Sequence, residues 1–197
     1  MKKILLLSIL FILSSCSFTS YRFDDQKPRT GVDFTTGKWL LNNIYCPSDI
    51  QNKLVEKSTK DFSAVLGNRF SYRPLSSGLI LPPKMDFPLD KTMLKKIKLG
   101  SDCDYFINIK AEQLRNDFGS IDLTPNRFNN GGENSNQVSI EIYDLNTETV
   151  IYSQRVIASV GKPTDNRDVN FSKTANSMLI RAYEKLVKDL KSKSVLK

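Results

Sequence analysis

Two alternating runs joined by a turn fix the centre of this chain. Gln137 to Leu145 sets Val138, Ile140 and Ile142 against Ser139, Glu141 and Tyr143. Val150 to Val160 carries Val150, Tyr152, Val156, Ala158 and Val160 in phase. A period of two puts successive side chains on opposite faces of an extended backbone. Asp144-Leu145-Asn146-Thr147-Glu148 between the runs is a turn signal, so together they predict a β-hairpin. Its apolar side needs a cover. Phe171, Ala175, Met178, Leu179, Ala182, Leu186 and Leu190 mark one side of a long amphipathic helix that supplies one. Such a helix can also lie on a membrane, but one that follows a hairpin packs more naturally on its sheet.

The upstream half reads as alternating strands and helices. Lys38 to Tyr45 is a strand ended by Pro47, with Trp39 expected in the core. Ser48-Asp49-Ile50-Gln51 has the form of a capping box, and Ile50, Leu54, Val55, Phe62, Val65 and Leu66 follow at helical spacing. Gly67-Asn68 is a helix stop, and Arg69 to Arg73 a short strand. After a proline-punctuated loop from Ser76 to Pro88, Asp90 caps a shorter helix ended by Gly100. Asp104 to Gln113 is a strand with Tyr105, Ile107, Ile109 and Ala111 on one side. Leu114 to Asn136 is rich in Asn and Gly and reads as a long disordered loop, and Gly161 to Asn170 as a second polar loop. Crossovers combined with a hairpin imply an α/β (α+β) fold: a mixed sheet of about five strands with about three helices.

The amino terminus has its own pattern. Met1-Lys2-Lys3 is basic, Ile4 to Leu13 is apolar except for Ser8, and Leu13-Ser14-Ser15-Cys16 follows. This is the layout of a secretory signal. Its apolar run is far below the roughly 20 residues that span a bilayer. Leu13 to Cys16 resembles the lipobox of bacterial lipoproteins. That resemblance implies acylation of the Cys16 thiol, cleavage just before it, and acylation of the new amine. It also implies that Ser17 at the next position is compatible with the outer membrane. The expected organisation is a signal peptide at 1–15, a lipidated N-terminus and flexible tether at 16–37, one α/β domain at 38–192 and a tail at 193–197.

The formal charge is +8, of which Lys2 and Lys3 belong to the leader. Export and the scatter of the lysines argue against nucleic acid as a partner. Lys185, Lys188, Lys191, Lys193 and Lys197 form the densest basic stretch. A solvated helix end that suits the macrodipole is the simpler reading; contact with anionic lipid or cell-wall polymer is the other. The chain has no histidine, which excludes Ser-His-Asp and Cys-His sites within it. With Cys46 and Cys103 as the remaining thiols, a zinc site is not expected. A Cys46–Cys103 disulfide suits an oxidising compartment, but parallel strands would set the two sulfurs at opposite sheet edges.

Three features resemble a group of bacterial envelope lipoproteins. The group comprises the curli-secretion lipoprotein, the lipoprotein activators of penicillin-binding proteins, and the amino-terminal domain of the Tol-system propeller protein. Leu99-Gly100-Ser101-Asp102-Cys103-Asp104-Tyr105-Phe106-Ile107 resembles the group's lead into a central strand. Val138 to Ile151 resembles its hairpin, with Glu148 where glycine is usual. The helix from Phe171 completes the likeness, which covers Lys38 to Leu190. It implies a docking and scaffolding module with no cofactor, metal or catalytic residue. The expected protein is therefore a membrane-anchored, non-catalytic envelope lipoprotein that partners another envelope protein or cell-wall material. The alternatives are a small-molecule or lipid-binding lipoprotein, and a cell-wall hydrolase using paired carboxylates such as Asp102/Asp104 or Asp24/Asp25. Cys16 is the one site residue assigned, as the lipidated position.

Overall fold

A computed structural model describes residues 19–24, 29–73, 81–82, 85, 87–116, 133–161 and 175–196. The leader, Cys16, Asp25, Phe171 and most of the two polar loops lie outside the described residues. Among the described residues, six strands form one mixed sheet in the order β1-β6-β5-β4-β2-β3. They are β1 Ser20–Phe23, β2 Trp39–Leu41, β3 Phe70–Tyr72, β4 Tyr105–Asn116, β5 Glu133–Asp144 and β6 Thr149–Gly161. Three helices accompany them: α1 Ser48–Leu66, α2 Lys91–Ser101 and α3 Ala175–Lys193.

β2 pairs parallel with both β3 and β4, whereas β4, β5, β6 and β1 are antiparallel in succession. The chain steps outward from β2 to β3 through α1, then back past β2 to β4 through α2. Parallel crossovers are right-handed, so reversing the step puts the two helices on opposite faces. α1 and α3 share one face, where Leu54, Phe62, Leu179, Tyr183 and Leu186 pack on Ile107, Ile140, Ile142 and Val156. α2 takes the other face, with Leu94 and Ile97 against Leu40, Phe106 and Tyr143. Asp61 joins α1 to α3, accepting from Tyr183 Oη at 3.2 Å and Lys191 Nζ at 3.0 Å.

Trp39 is fully buried. It stacks on Tyr105 at 4.2 Å between ring centroids, lies 4.9 Å from Phe34, and donates Nε1–H to the Thr36 carbonyl at 2.9 Å. Gly67 ends α1 at φ 58°, and Asp90 Oδ1 caps α2 by accepting from Met93 N at 2.7 Å.

Several local expectations need correction. Ser48 makes no capping hydrogen bond; the N-cap of α1 is Pro47. The proline supplies an extended φ,ψ at the helix start but no side-chain acceptor. Gly100 lies inside α2, and the helix ends instead at Asp102 in the left-handed region, φ 52°. Glu148 in the hairpin turn also holds a positive φ, 55°, the backbone conformation that glycine adopts without strain. The ends of the expected loop 114–136 extend β4 to Asn116 and start β5 at Glu133. Long antiparallel pairing there satisfies backbone groups despite the polar sequence.

The larger correction concerns the two segments placed outside the domain. Where 16–37 reads as a tether, Ser20–Phe23 is an edge strand paired with β6, Ser20 opposite Ser159 and Phe23 opposite Val156. Val32 and Phe34 are buried. Where 193–197 reads as a tail, Val195 bridges Asp33: Phe34 N donates to Val195 O at 3.0 Å and Val195 N to Val32 O at 3.0 Å. A Cβ on Gly31 would stand 2.0 Å from the Lys193 carbonyl oxygen, so this closure requires glycine. Arg29 pairs with the buried carboxylate of Asp189 on α3.

Candidate functional site

The face of the sheet that carries α2 is divided. Near α2 it is apolar, as described. Beyond α2, alternation presents Lys110, Gln137, Ser139, Glu141, Ser153 and Arg155 instead. Register aligns them across the strands: Glu141 lies opposite both Asn108 and Ser153, and Ser139 opposite both Lys110 and Arg155. These side chains line a groove of about 440 Å³, which Phe87 and Pro88 also line.

Glu141 is the fixed centre of this groove. It is 4% exposed and accepts from the Tyr143 hydroxyl and from Ser153 Oγ, the latter at 2.7 Å. Leu89 N donates to the Tyr143 oxygen at 3.0 Å. Burial, and then the hydrogen bond to Glu141, push the Tyr143 phenol well above its ordinary range, which keeps it a donor. Arg155 Nε lies 2.9 Å from Asp24 Oδ2, and Asp24 N donates to Arg155 O at 3.1 Å. Lys110 Nζ meets Glu112 Oε1 at 2.8 Å. The arrangement offers ordered donors and acceptors of both charge signs. The Ser153 hydroxyl beside Glu141 is a donor within this network, which the Tyr143 hydroxyl also joins.

Asn42 and Asn108 stand at the border between the apolar and polar halves. Asn42 Nδ2 donates to Asn108 Oδ1 at 3.0 Å, while Asn42 Oδ1 and Asn108 Nδ2 are buried without a partner. Removing one member of such a pair costs more than removing both. Asn42→Leu alone is expected to destabilise by about 1–3 kcal/mol. Adding Asn108→Leu should restore most of that in urea melts. A double variant as unstable as the two single losses combined would show that the pair is not coupled.

Of the acidic residues singled out in the sequence, Asp24 lines the groove, Asp25 lies outside the described residues, and Asp102 and Asp104 do other work. Asp102 caps α2 and pairs with Lys38 Nζ at 2.9 Å. Asp104 Oδ2 accepts from Lys38 N at 2.9 Å, and Oδ1 from Lys98 Nζ at 3.0 Å and Asn146 Nδ2 at 3.3 Å. Both carboxyls are held below the usual range, Asp102 mainly by Lys38 and Asp104 by the Lys38 backbone N–H and then Lys98. A general acid needs the opposite shift. Asp104 therefore serves to tie the start of β2, the end of α2 and the hairpin turn together. A depressed folded pKa contributes stability above the unfolded value, near pH 4, and loses it as pH falls through the folded value. Asp104→Asn should thus cost about 1–2 kcal/mol at pH 7, the gap to wild type closing on acidification below about pH 4. A gap independent of pH in denaturant titrations would contradict this role.

Cys46 and Cys103 are free thiols. Parallel pairing sets Tyr45 level with Lys110, and Trp39 level with Tyr105. Cys46 and Cys103 therefore stand roughly 25 Å apart along the strands, beyond disulfide reach. Burial, with a smaller contribution from Asp49, pushes the Cys46 thiol up to about 11, which leaves little thiolate for chemistry. Among the described residues no three His, Cys, Asp or Glu side chains gather as a metal site, and no helix is long and apolar enough to cross a membrane.

No family model and no curated protein matches the sequence. Solved structures give remote similarities. A PelC dodecamer from Paraburkholderia phytofirmans is 11% identical over 88% of this chain and 97% of that one, with a TM-score of 0.40. The hypothetical protein CT253 from Chlamydia trachomatis is 11% identical over 83% and 94%, also at 0.40. Lipoprotein GNA1162 from Neisseria meningitidis is 9% identical over 78% and 99%, at 0.38. Similarity at this level assigns no function.

Proposed function

We propose that the protein is a non-catalytic accessory of the bacterial cell envelope. Acylated Cys16 holds it at the outer membrane, facing the periplasm, and it docks another envelope protein or a cell-wall polymer through the polar groove. The observation that carries this reading is the division of one sheet face: α2 covers the apolar half, and the polar half keeps Glu141, Tyr143, Ser153 and Leu89 in a fixed hydrogen-bond network beneath a groove. Pre-ordered polar groups bind without the cost of arranging them at the moment of contact. The lipobox and the resemblance to envelope docking modules support the same reading. A lipid-binding protein calls for an enclosed apolar cavity, whereas these walls carry Lys110, Glu141 and Arg155. A carboxylate hydrolase is disfavoured because Asp102 and Asp104 are ionised and committed to ion pairs.

Photo-crosslinking in intact cells tests the docking face. A benzophenone amino acid at Gln137, in the groove, is expected to give one discrete adduct with protein or wall polymer. The same group at Glu56, exposed on α1, should give none. Identical products from the two positions, or no adduct from Gln137, would remove the groove as the docking site.

A further inference from the structure

We propose that the folded domain lies directly on the bilayer, with the β1 edge and a basic stripe of α3 seated on anionic phospholipid headgroups. The inference rests on the acylation of Cys16. Ser20 already belongs to β1, so four Cα steps separate the anchored residue from the sheet. A chain spans at most about 3.6 Å per residue, which limits the separation to roughly 14 Å. The headgroup layer itself is roughly 5–8 Å deep on each side of the hydrocarbon. The edge strand is thus held at the lipid surface by covalent reach alone.

α3 runs beside that edge. Lys185 Nζ lies 5.2 Å from the centroid of the Tyr21 ring, and the charge of Arg181 reaches the Tyr21 hydroxyl. Arg181, Lys185 and Lys188 recur at helical spacing and are all exposed. Arg22 is exposed on β1 itself. Two acidic groups near this edge are engaged, Glu184 by Lys57 of α1 at 3.1 Å and Asp24, next to β1, by Arg155 at 2.9 Å. The lysines at the end of the helix are committed elsewhere, Lys191 to Asp61 and Lys193 to Asp189. A positive surface beside the anchor remains, and it complements anionic lipid.

The test uses the mature acylated protein on the outside of vesicles, either phosphatidylcholine alone or with 30% phosphatidylglycerol (roughly, a moderately anionic surface). A membrane-impermeant amine reagent reports lysine accessibility by mass spectrometry, and Lys53 of α1 serves as the control. Modification of Lys185 and Lys188 is expected to slow about fivefold or more on the anionic vesicles, with Lys53 unchanged. Arg181→Gln should weaken that protection without altering the circular dichroism spectrum. Equal rates on both vesicles, or equal slowing at Lys53, would overturn the docking while leaving the anchor intact. An intact mass without acyl chains would overturn the anchor, and the docking with it.

Discussion

Cys16→Ala is expected to shift the protein from the membrane pellet to the soluble fraction. Each buried methylene of an acyl chain contributes about 0.8 kcal/mol, and two or more chains anchor a protein stably. Among the described residues no helix is long and apolar enough to cross a membrane, and the apolar stretch from Ile4 to Leu13 falls well short of a span. The variant is also expected to escape labelling by radioactive palmitate. The basic stripe on α3 adds a finer expectation. Without acylation, residual binding to anionic vesicles should be weak and should vanish as salt rises towards roughly 0.5 M, because screening shortens the reach of surface charge. Persistence of the alanine variant in a salt-washed pellet would mean that something other than lipid on Cys16 holds the protein to the membrane.

Trp39→Ala is expected to remove a large share of the folding free energy. The indole is fully buried, stacked on Tyr105, close to Phe34, and hydrogen-bonded to the Thr36 carbonyl. Truncating a buried aromatic to alanine costs about 3–5 kcal/mol, against a total stability of about 5–15 kcal/mol for a typical domain. The thermal midpoint should fall by roughly 6–20 °C for a domain of this size. Trp39→Phe keeps most of the packing and loses the Nε1 hydrogen bond, so its midpoint should lie between those of wild type and the alanine variant. Unfolding followed by circular dichroism decides the matter. An alanine variant within about 2 °C of wild type would mean that β2 is not the centre of the core.

The elements visible in the sequence are those whose cause is local. The hairpin and α3 are written as periods of two and 3.6, and Asp90 and Gly67 act within one turn of their own helices. The elements not visible there depend on distant partners. Ser20–Phe23 is a short polar-looking stretch whose strand character comes from β6, far along the chain. The bridge between Asp33 and Val195 has a single sequence signal, Gly31, and its necessity emerges only once the Lys193 carbonyl is in place. The candidate site was half legible. Ser139, Glu141, Ser153 and Arg155 stand out as the polar members of alternating runs, and polar alternation reads as a solvent-facing side. That Glu141 lies opposite Ser153 follows from hairpin register, which a Ile142/Tyr143 irregularity in the pairing shifts. That it is buried follows from packing around it.

The stitch between Asp33 and Val195 bears on how such a chain reaches its native state. Val32, Asp33 and Phe34 are held by Ser194 and Val195, far later in the chain, so the earlier segment has no complete set of contacts until the later one is in place. Structures dominated by pairing between distant positions fold slowly for the same entropic reason. Val195→Pro, which removes the N–H donated to the Val32 carbonyl, should therefore harm folding far more than the exposed position of Val195 would suggest.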